Sequence, residues 1–359
     1  MRVRCGRVDF GDERGIAATI VAISMLFVVG ILALAIDGGM LLVQRRHIVN
    51  GADAAALAAA EAYARNEAQC GTNDGPAKSQ ADSIATSNMA TASEDSYATD
   101  CTKQTVNVAY HADVQAMFMG AVGLGSTHAV KARAIGAWGT SSGATNLLPF
   151  MLDLGQVTTQ CGAPNPALGA PCVLWYTNDN AATSQWGVLN LCSQDAYSKG
   201  GCNSVGWDVG SGASGCNSTG SSVNQDWVQN GFPYALTMHS PPPTYVCVIP
   251  GFGSMNTASG FLIPGVQRIF PVNDPNLMVL DNKGNPYKYA IVGFTALKIL
   301  AVGKGNNAET TCGQTKPPWV KNLSNAVCLK VQWIGPVEVP GGITTGQQNF
   351  GVYAIALQG

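Results

Sequence analysis

The sequence predicts an α+β protein that one N-terminal helix anchors in a membrane. An uncharged apolar run occupies residues 16–36, and an alanine-rich segment follows it at residues 50–60. Short strand-like runs, separated by Gly-, Pro- and Asn-rich turns, fill the C-terminal half. We therefore expect a transmembrane helix that continues as an alanine-rich helix, then a strand–helix–strand unit, and last a β-rich domain that contains disulfides.

The apolar run is long enough to cross a bilayer. A helix over residues 16–36 measures roughly 31 Å, which matches the hydrocarbon core. More arginines precede the run than follow it within the flanking segments, which predicts that residues 1–15 are cytoplasmic and the rest of the chain extracytoplasmic. A cleaved signal peptide is the alternative interpretation. Its apolar part is usually shorter than this run, so an anchor is favoured.

The segment after the run has helical periodicity. Alanine has the highest helix propensity, and the small side chains let another element approach closely. One face of this helix is apolar, and we call it the stripe. We expect the stripe to pack against the downstream sheet of the same chain, against neighbouring helices, or against both. Its apolar positions recur at spacings of three, four and seven: Leu41, Ile48, Ala52, Ala55, Ala59 and Ala62.

Residues 14–64 carry an ordered motif. Arg14-Gly15 precedes the apolar run, and Asp37-Gly38-Gly39, Gln44-Arg45-Arg46 and Asn50-Gly51-Ala52-Asp53 follow it in that order. This motif resembles the N-terminal module of TadE/TadG-like proteins, which belong to the tight-adherence (Flp, type IVb) pilus system of bacteria. The resemblance implies a pilus-assembly or minor pilin-like role in the cell envelope.

The resemblance has two limits. Prepilins usually carry Glu five residues after the cleavage glycine, but that position after Gly15 is Ile20, which does not fit a prepilin-peptidase substrate. Larger TadG-like chains often carry a von Willebrand factor A module with a DxSxS metal motif, and the sequence has no such motif. The resemblance therefore implies no metal site.

A weaker part of the resemblance continues to residue 138. We expect a strand at Val106–Tyr110, a short helix at Val114–Val122 and a second strand at Ser126–Trp138, similar to the unit that follows the helix in TadG-like chains. Residues 37–138 then form one helix-plus-α/β unit. The Ser- and Thr-rich stretch of residues 70–100 is expected to hold the end of the alanine-rich helix, followed by a loop or a short helix at Ala81–Met89.

A Gly- and Ser-rich linker is expected at residues 139–146, and a β-rich domain at residues 147–359. Residues 192–250 are expected to form an irregular, disulfide-pinned insertion. Asp281–Asn285 resembles a calcium loop but lacks its terminal Glu, so we expect a hairpin turn. Strand-like runs occur at Val173–Tyr176, Trp186–Leu191, Thr244–Ile249, Ala290–Thr295, Leu297–Val302, Val327–Trp333 and Val352–Leu357.

Ten cysteines follow the apolar run, and Cys5 precedes it. An even number on one side of a membrane predicts disulfides in an oxidising compartment, with buried free thiols as the alternative. The connectivity cannot be deduced from the sequence, and our working hypothesis joins sequence neighbours. It pairs Cys70 with Cys101, Cys161 with Cys172, Cys192 with Cys202, Cys216 with Cys247, and Cys312 with Cys328.

The composition and motifs argue against several functions. Charged residues make up 12% of the 359 residues and the net charge is −2, so no basic surface indicates a nucleic-acid partner. The HExxH and GxxxxGK[ST] patterns are absent. His111 and Asp113 could form a base and its orienting group, but no nucleophile motif accompanies them. We therefore expect no enzyme, no cofactor and no metal.

Two functions remain open at this point. The first is a structural, membrane-anchored pilus component or assembly factor, whose partners are other pilus or envelope proteins or a second copy of the chain. The second is a surface-anchored adhesin that binds a glycan or a host protein. Its glycan groove would use tryptophans such as Trp175, Trp186, Trp207 and Trp227.

Overall fold

The computed structural model describes most of the chain from residue 13 onward. The described residues are 13–122, 125–161, 170–177, 184–202, 204–212, 214–216, 224–239, 242–249, 251–333, 335–339, 342–344 and 350–358. The expected cytoplasmic segment therefore lies almost entirely outside them, as does Cys5. We call everything after Arg65 the head.

The helices are α1 (Glu13–Arg65), α2 (Gly75–Asn88), α3 (Leu154–Cys161), α4 (Gln194–Ser198), α5 (Gln225–Asn230), α6 (Phe252–Ser259) and α7 (Ala308–Cys312). Short 3₁₀ turns occur at Glu67–Gln69, Met119–Val122, Gly305–Asn307 and Leu323–Asn325. The strands are β1 (Ala92–Asp100), β2 (Thr105–Gln115), β3 (Thr127–Ser141), β4 (Gly143–Ala144), β5 (Phe150–Asp153), β6 (Pro171–Thr177), β7 (Trp186–Val188), β8 (Leu236–Thr237), β9 (Thr244–Cys247), β10 (Gln267–Asn273), β11 (Val279–Leu280), β12 (Pro286–Lys304), β13 (Ala326–Trp333), β14 (Val337–Glu338), β15 (Ile343–Thr344) and β16 (Val352–Gln358).

A single helix of 53 residues, α1, begins the described chain and is about 80 Å long. Residues 17–29 of α1 are exposed, whereas its residues from Ile48 to Ala64 pack against the head. The expected α+β class is confirmed, with the long apolar helix leading into a β-rich region.

The first sheet has the order β1-β2-β3-β16-β14, and β15 also pairs with β3. The strands β1, β2 and β3 form an antiparallel meander, with Val108 opposite both Tyr97 and Ala134. The last strand, β16, lies antiparallel to β3 and places Ile355 opposite Trp138. The chain therefore returns from the C-terminal half to complete the sheet that supports α1.

The second sheet has the order β6-β13-β12-β10-β5-β7, with β9 and β11 also paired to β12. Successive side chains of a strand point to opposite faces, and both faces of this sheet are buried. Phe150 and Leu152 of β5 join the core on one face, whereas Met151 joins the core on the other. Strands that are buried on both faces consist mainly of apolar residues, which explains why several of these strands could be predicted from the sequence.

The structure differs from several local expectations around the first sheet. The predicted helix Val114–Val122 is the end of β2 followed by the 3₁₀ turn Met119–Val122. The stretch of residues 70–100 contains α2, which overlaps the short helix considered at Ala81–Met89, and also the edge strand β1, which was not expected. The sequence of β1 is polar because no residue of this edge strand is fully buried, so it lacks a clear apolar alternation.

The expected linker at residues 139–146 lies mostly in strands. β3 continues to Ser141, β4 follows at Gly143–Ala144, and the side chains of these strand residues are buried. The connection between the two sheets is thus held by strand pairing, because β3 pairs with β15 and β4 pairs with β8 at this point.

In the C-terminal region, the two runs expected at Ala290–Thr295 and Leu297–Val302 belong to one long strand, β12. The strands β5 and β10 and the short helices α3 to α7 were not expected. Asp281–Asn285 forms the expected hairpin turn between β11 and β12, in which the Asp281 carboxylate accepts from the backbone N–H groups of Lys283 and Asn285.

Candidate functional site

The most distinctive site is the junction between α1 and the head. Four positions of the predicted stripe are fully buried, and Leu41 is half-buried nearer the N-terminus. We call the face that receives residues 48–64 the helix seat; α2, β2 and β3 form it. The fully buried stripe positions are Ile48, Ala52, Ala55 and Ala59.

Small residues permit close packing in the seat. The α2 side of the seat contains Ala77, Ala81 and Ala85, which are fully buried with the α1 alanines in one apolar core. Gly51 lies so close to α2 that a Cβ there would be 3.3 Å from the Cβ of Asn88. The helices therefore pack through their smallest side chains.

The β3 side of the seat depends on Gly136. A Cβ added at Gly136 would collide with the carbonyl oxygen of Ala56 and lie 2.8 Å from its carbonyl carbon. Because a real Cβ cannot approach a backbone carbonyl that closely, only glycine lets β3 touch α1 here. The role of Gly136 is not visible in the sequence, since it depends on a neighbour 80 residues earlier in the chain.

The C-terminal end of the seated helix is fixed by hydrogen bonds. The Tyr63 hydroxyl donates to Asp74 Oδ1 at 2.7 Å and lies 3.0 Å from the Tyr97 hydroxyl. The Tyr63 ring also stacks on Trp138 with a centroid separation of 4.8 Å. Burial raises the pKa of the Tyr63 phenol, and it raises the pKa of Tyr97 to about 12.

The N-terminal half of α1 contrasts with the seated half. It is the one helix in the described part of the chain that is apolar and long enough to span a membrane, and its most apolar window is not buried in the molecule. Its exposed large side chains are Ile20, Val21, Ile23, Met25, Leu26, Phe27, Val28, Val29, Ile31, Leu32, Leu34, Ile36, Leu42 and Val43. Such a surface needs a bilayer or other helices around it.

Asp37 marks the transition between the two halves. Its side chain is fully buried, and its carboxylate accepts from the backbone N–H groups of Met117, Phe118 and Met119 at 2.9, 2.8 and 2.6 Å. These three residues lie in the loop between β2 and β3. The first acidic residue after the apolar run therefore ties that loop to the helix.

His111, which was considered as a base oriented by Asp113, is paired with a different carboxylate. His111 Nδ1 instead lies 2.6 Å from Asp95 Oδ1 on the neighbouring strand β1, and Lys131 Nζ lies 3.4 Å from the other oxygen of Asp95. This is a surface cluster across three strands. Within the described residues, no group of three or more His, Cys, Asp and Glu side chains is arranged to hold a metal.

Two short patterns that match catalytic motifs have other roles in the structure. Gly139–Gly143 has the spacing GxSxG, but Ser141 is buried at the end of β3 and its hydroxyl donates to the Gly143 carbonyl. No helix follows this serine, so it is not the exposed nucleophile of a strand–turn–helix elbow.

The second pattern is GxGxxG at residues 210–215. Here the carbonyls of Gly210, Gly212 and Ser214 accept from the buried ammonium of Lys288 at 2.9, 2.7 and 2.6 Å. A phosphate loop presents N–H groups to an anion, whereas this loop presents carbonyls to a cation. Burial lowers the pKa of Lys288, and the lysine fixes the loop to β12.

Five disulfides lie in the head. They join Cys70 to Cys101, Cys161 to Cys172, Cys192 to Cys202, Cys216 to Cys247, and Cys312 to Cys328. Of the tryptophans considered for a glycan groove, Trp175, Trp186 and Trp207 are buried in the cores and Trp227 is partly buried. These side chains stabilise the head rather than form an exposed aromatic surface.

The geometry of α1 can be compared with known families. Residues 15–62 match the Tad family model, described as putative Flp pilus-assembly TadE/G-like. The N-terminal module is Tad-like. The match covers both the exposed and the seated half of α1 and ends before the head, so the resemblance noted from the sequence is confirmed for this module. No curated protein and no solved structure matches the chain.

Proposed function

We propose that the protein is a non-catalytic, membrane-anchored structural component of a Flp-type pilus assembly system. The family match over residues 15–62 supports a role in pilus assembly. The observation that carries the proposal is the division of α1 into an exposed apolar half and a half that is seated in the head. The protein thus presents a single span rigidly coupled to a disulfide-containing domain.

The seated half narrows the ways in which the protein could assemble. Its stripe of small residues is already occupied by α2 and the first sheet of the same chain. Contacts with pilus or envelope proteins are therefore assigned to the exposed half of α1 and to the outer surface of the head. The arginine bias supports a cytoplasmic N-terminus and an extracytoplasmic head.

The test is a deletion of the gene, followed by electron microscopy of pili and complementation with the full chain. We expect pili to be lost and then restored. A matched variant replaces residues 16–36 with an unrelated single-span helix, which keeps the anchor but removes its specific surface. Immunogold labelling of the head separates a filament subunit from an assembly factor.

Normal piliation in the deletion strain contradicts the proposal. If the purified protein nevertheless binds cells or glycans, the adhesin hypothesis replaces the pilus proposal. Topology is read separately, by labelling Cys5 with a membrane-impermeant maleimide on intact cells. Labelling of Cys5 contradicts the cytoplasmic N-terminus without affecting the piliation result.

A further inference from the structure

The loop between β2 and β3 has an unusual composition for an exposed turn. Residues 116–125 read Ala-Met-Phe-Met-Gly-Ala-Val-Gly-Leu-Gly, with no polar side chain. Loops that face water usually contain polar residues together with Gly, Asn or Asp. The side chains of Met117 and Phe118 are 73% and 41% exposed, so these two apolar groups are not buried in the head.

The loop lies beside the part of α1 that was assigned to the membrane. An open groove of about 400 Å³ separates them, lined by Leu26, Phe27, Ile31 and Leu34 of α1 and by Phe118 and Met119 of the loop. Along a helix axis, Leu34 lies about 5 Å and Leu26 about 16 Å from Asp37 toward the N-terminus. The groove therefore runs along the apolar run from Leu34 to Leu26, and Phe118 and Met119 form its other wall.

The helix face that contacts the head continues into the same region. Gly30 and Ala33 are half-buried while the residues around them on α1 are exposed, and Asp37 is fully buried. Positions 30, 33 and 37 share one face of a helix, and the seated stripe from Leu41 to Ala59 extends that face. One continuous face of α1 thus contacts first the helix seat and then the β2–β3 loop, and it continues along the apolar run.

Backbone N–H groups of the loop have hydrogen-bond partners within the protein, as surroundings without water require. In a bilayer, each unpaired backbone N–H costs several kcal/mol, so polar backbone groups must be satisfied within the protein. Asp37 accepts from three consecutive N–H groups, those of Met117, Phe118 and Met119. The N–H of Ala116 donates to the carbonyl of Ser126 at 2.8 Å, which closes the base of the loop.

We propose that the β2–β3 loop enters the bilayer beside the anchor helix and is a second membrane contact of this protein. The ligand is the acyl region of phospholipids, which surrounds Met117 and Phe118 and fills the groove. The acyl region is the occupant because the other wall of the groove belongs to the span itself. Because Phe118 and Met119 line the same groove as residues 26–34, these two side chains face the acyl region whenever those residues are in the membrane.

The proposal is tested with the full chain reconstituted in phosphatidylcholine vesicles. A photoreactive diazirine amino acid replaces Met117, or in separate proteins Phe118, Leu26 or Tyr197. Leu26 is 77% exposed within the span, whereas Tyr197 is 46% exposed on α4, whose Ala196 packs in one core with Met151 of the second sheet. After illumination, mass spectrometry identifies lipid adducts, and non-reducing mass spectrometry of the disulfides shows that each variant has folded.

We expect lipid adducts at positions 117, 118 and 26 and no lipid adduct at position 197. Adducts at 26 without adducts at 117 and 118 overturn the proposal while leaving the anchor intact. Adducts between 117 or 118 and a second copy of the chain also overturn it, and assign the groove to a neighbouring protein. If position 26 gives no lipid adduct either, the membrane span and the loop assignment both fail, whatever the piliation experiment shows.

Discussion

Gly136 of β3 lies against Ala56 of α1 with no room for a side chain between them. This contact sets the distance between the anchor helix and the first sheet. The alanine-rich half of α1 is part of the core of the head, because Ala55, Ala59 and Ala60 pack in the same cluster as Ala56.

Replacing Gly136 with Val should therefore push the helix off the sheet. We expect the free energy of unfolding to fall by about 1–3 kcal/mol or more, as overpacking usually costs. Urea unfolding of the full chain in detergent measures this. Gly253→Ala is the control, because a Cβ at Gly253 on α6 has nothing within 4 Å. Equal stability of the two variants would contradict the close contact.

Ala55→Arg places a charge in the same seat. Ala55 is fully buried in an apolar cluster, where a charge is costly, so the variant should lose several kcal/mol of stability. We expect loss of head folding together with loss of pili. Asn50→Arg is the control, since Asn50 is exposed on the same helix. Loss of pili with a normally folded head would instead mean that the stripe packs between molecules.

Asp37→Asn should free the loop between β2 and β3. An amide has one acceptor oxygen where the carboxylate has two, and three backbone N–H groups depend on them. We expect faster hydrogen exchange at the amides of Met117, Phe118 and Met119, with unchanged exchange at Val108 in the middle of β2. Unchanged exchange at all four amides would show that Asp37 does not hold the loop.

The disulfide between Cys70 and Cys101 joins the turn after α1 to the turn between β1 and β2. Closing a loop of this size typically stabilises a domain by about 2–4 kcal/mol, so replacing both cysteines with Ser should lower the free energy of unfolding by that amount. Chemical unfolding measures the change. Alkylation of Cys70 or Cys101 in the folded, non-reduced protein would show that the bond is absent.

The tyrosines at the end of the seated helix predict a dependence on alkaline pH. Burial raises the pKa of Tyr97 to about 12 from its ordinary value of 10.0. A phenol whose folded pKa is raised contributes stability that is complete below the unfolded pKa and lost as the pH rises through the folded pKa. We expect the free energy of unfolding to fall between these two pH values.

Tyr97→Phe should flatten that fall, because phenylalanine cannot ionise. The measurement is the free energy of unfolding across the same pH range for both proteins. Tyr197→Phe is the matched control, since Tyr197 is exposed on α4. Parallel pH profiles for the original chain and Tyr97→Phe would contradict the burial effect.

The parts of the fold that the sequence predicts well are those that depend on local pattern. The apolar run and the spacing of Ile48, Ala52, Ala55 and Ala59 indicate α1 because helical periodicity is local. The prediction of a helix at Val114–Val122 was wrong, because a short apolar segment can have the same composition in a helix and in a loop beside an apolar helix. Gly136 and Lys288 were missed because their roles depend on distant segments of the chain.

The pairing of β16 with β3 has a consequence for the order of synthesis. About 210 residues separate the end of β3 from the start of β16, which a ribosome adds in roughly 10–40 s. Throughout that interval β3 has a free edge, and free edges are the strands that join other chains. The unit formed by α1 and the first sheet is thus translated first and completed last. A nascent chain therefore has its anchor helix long before the sheet that packs against this helix is complete.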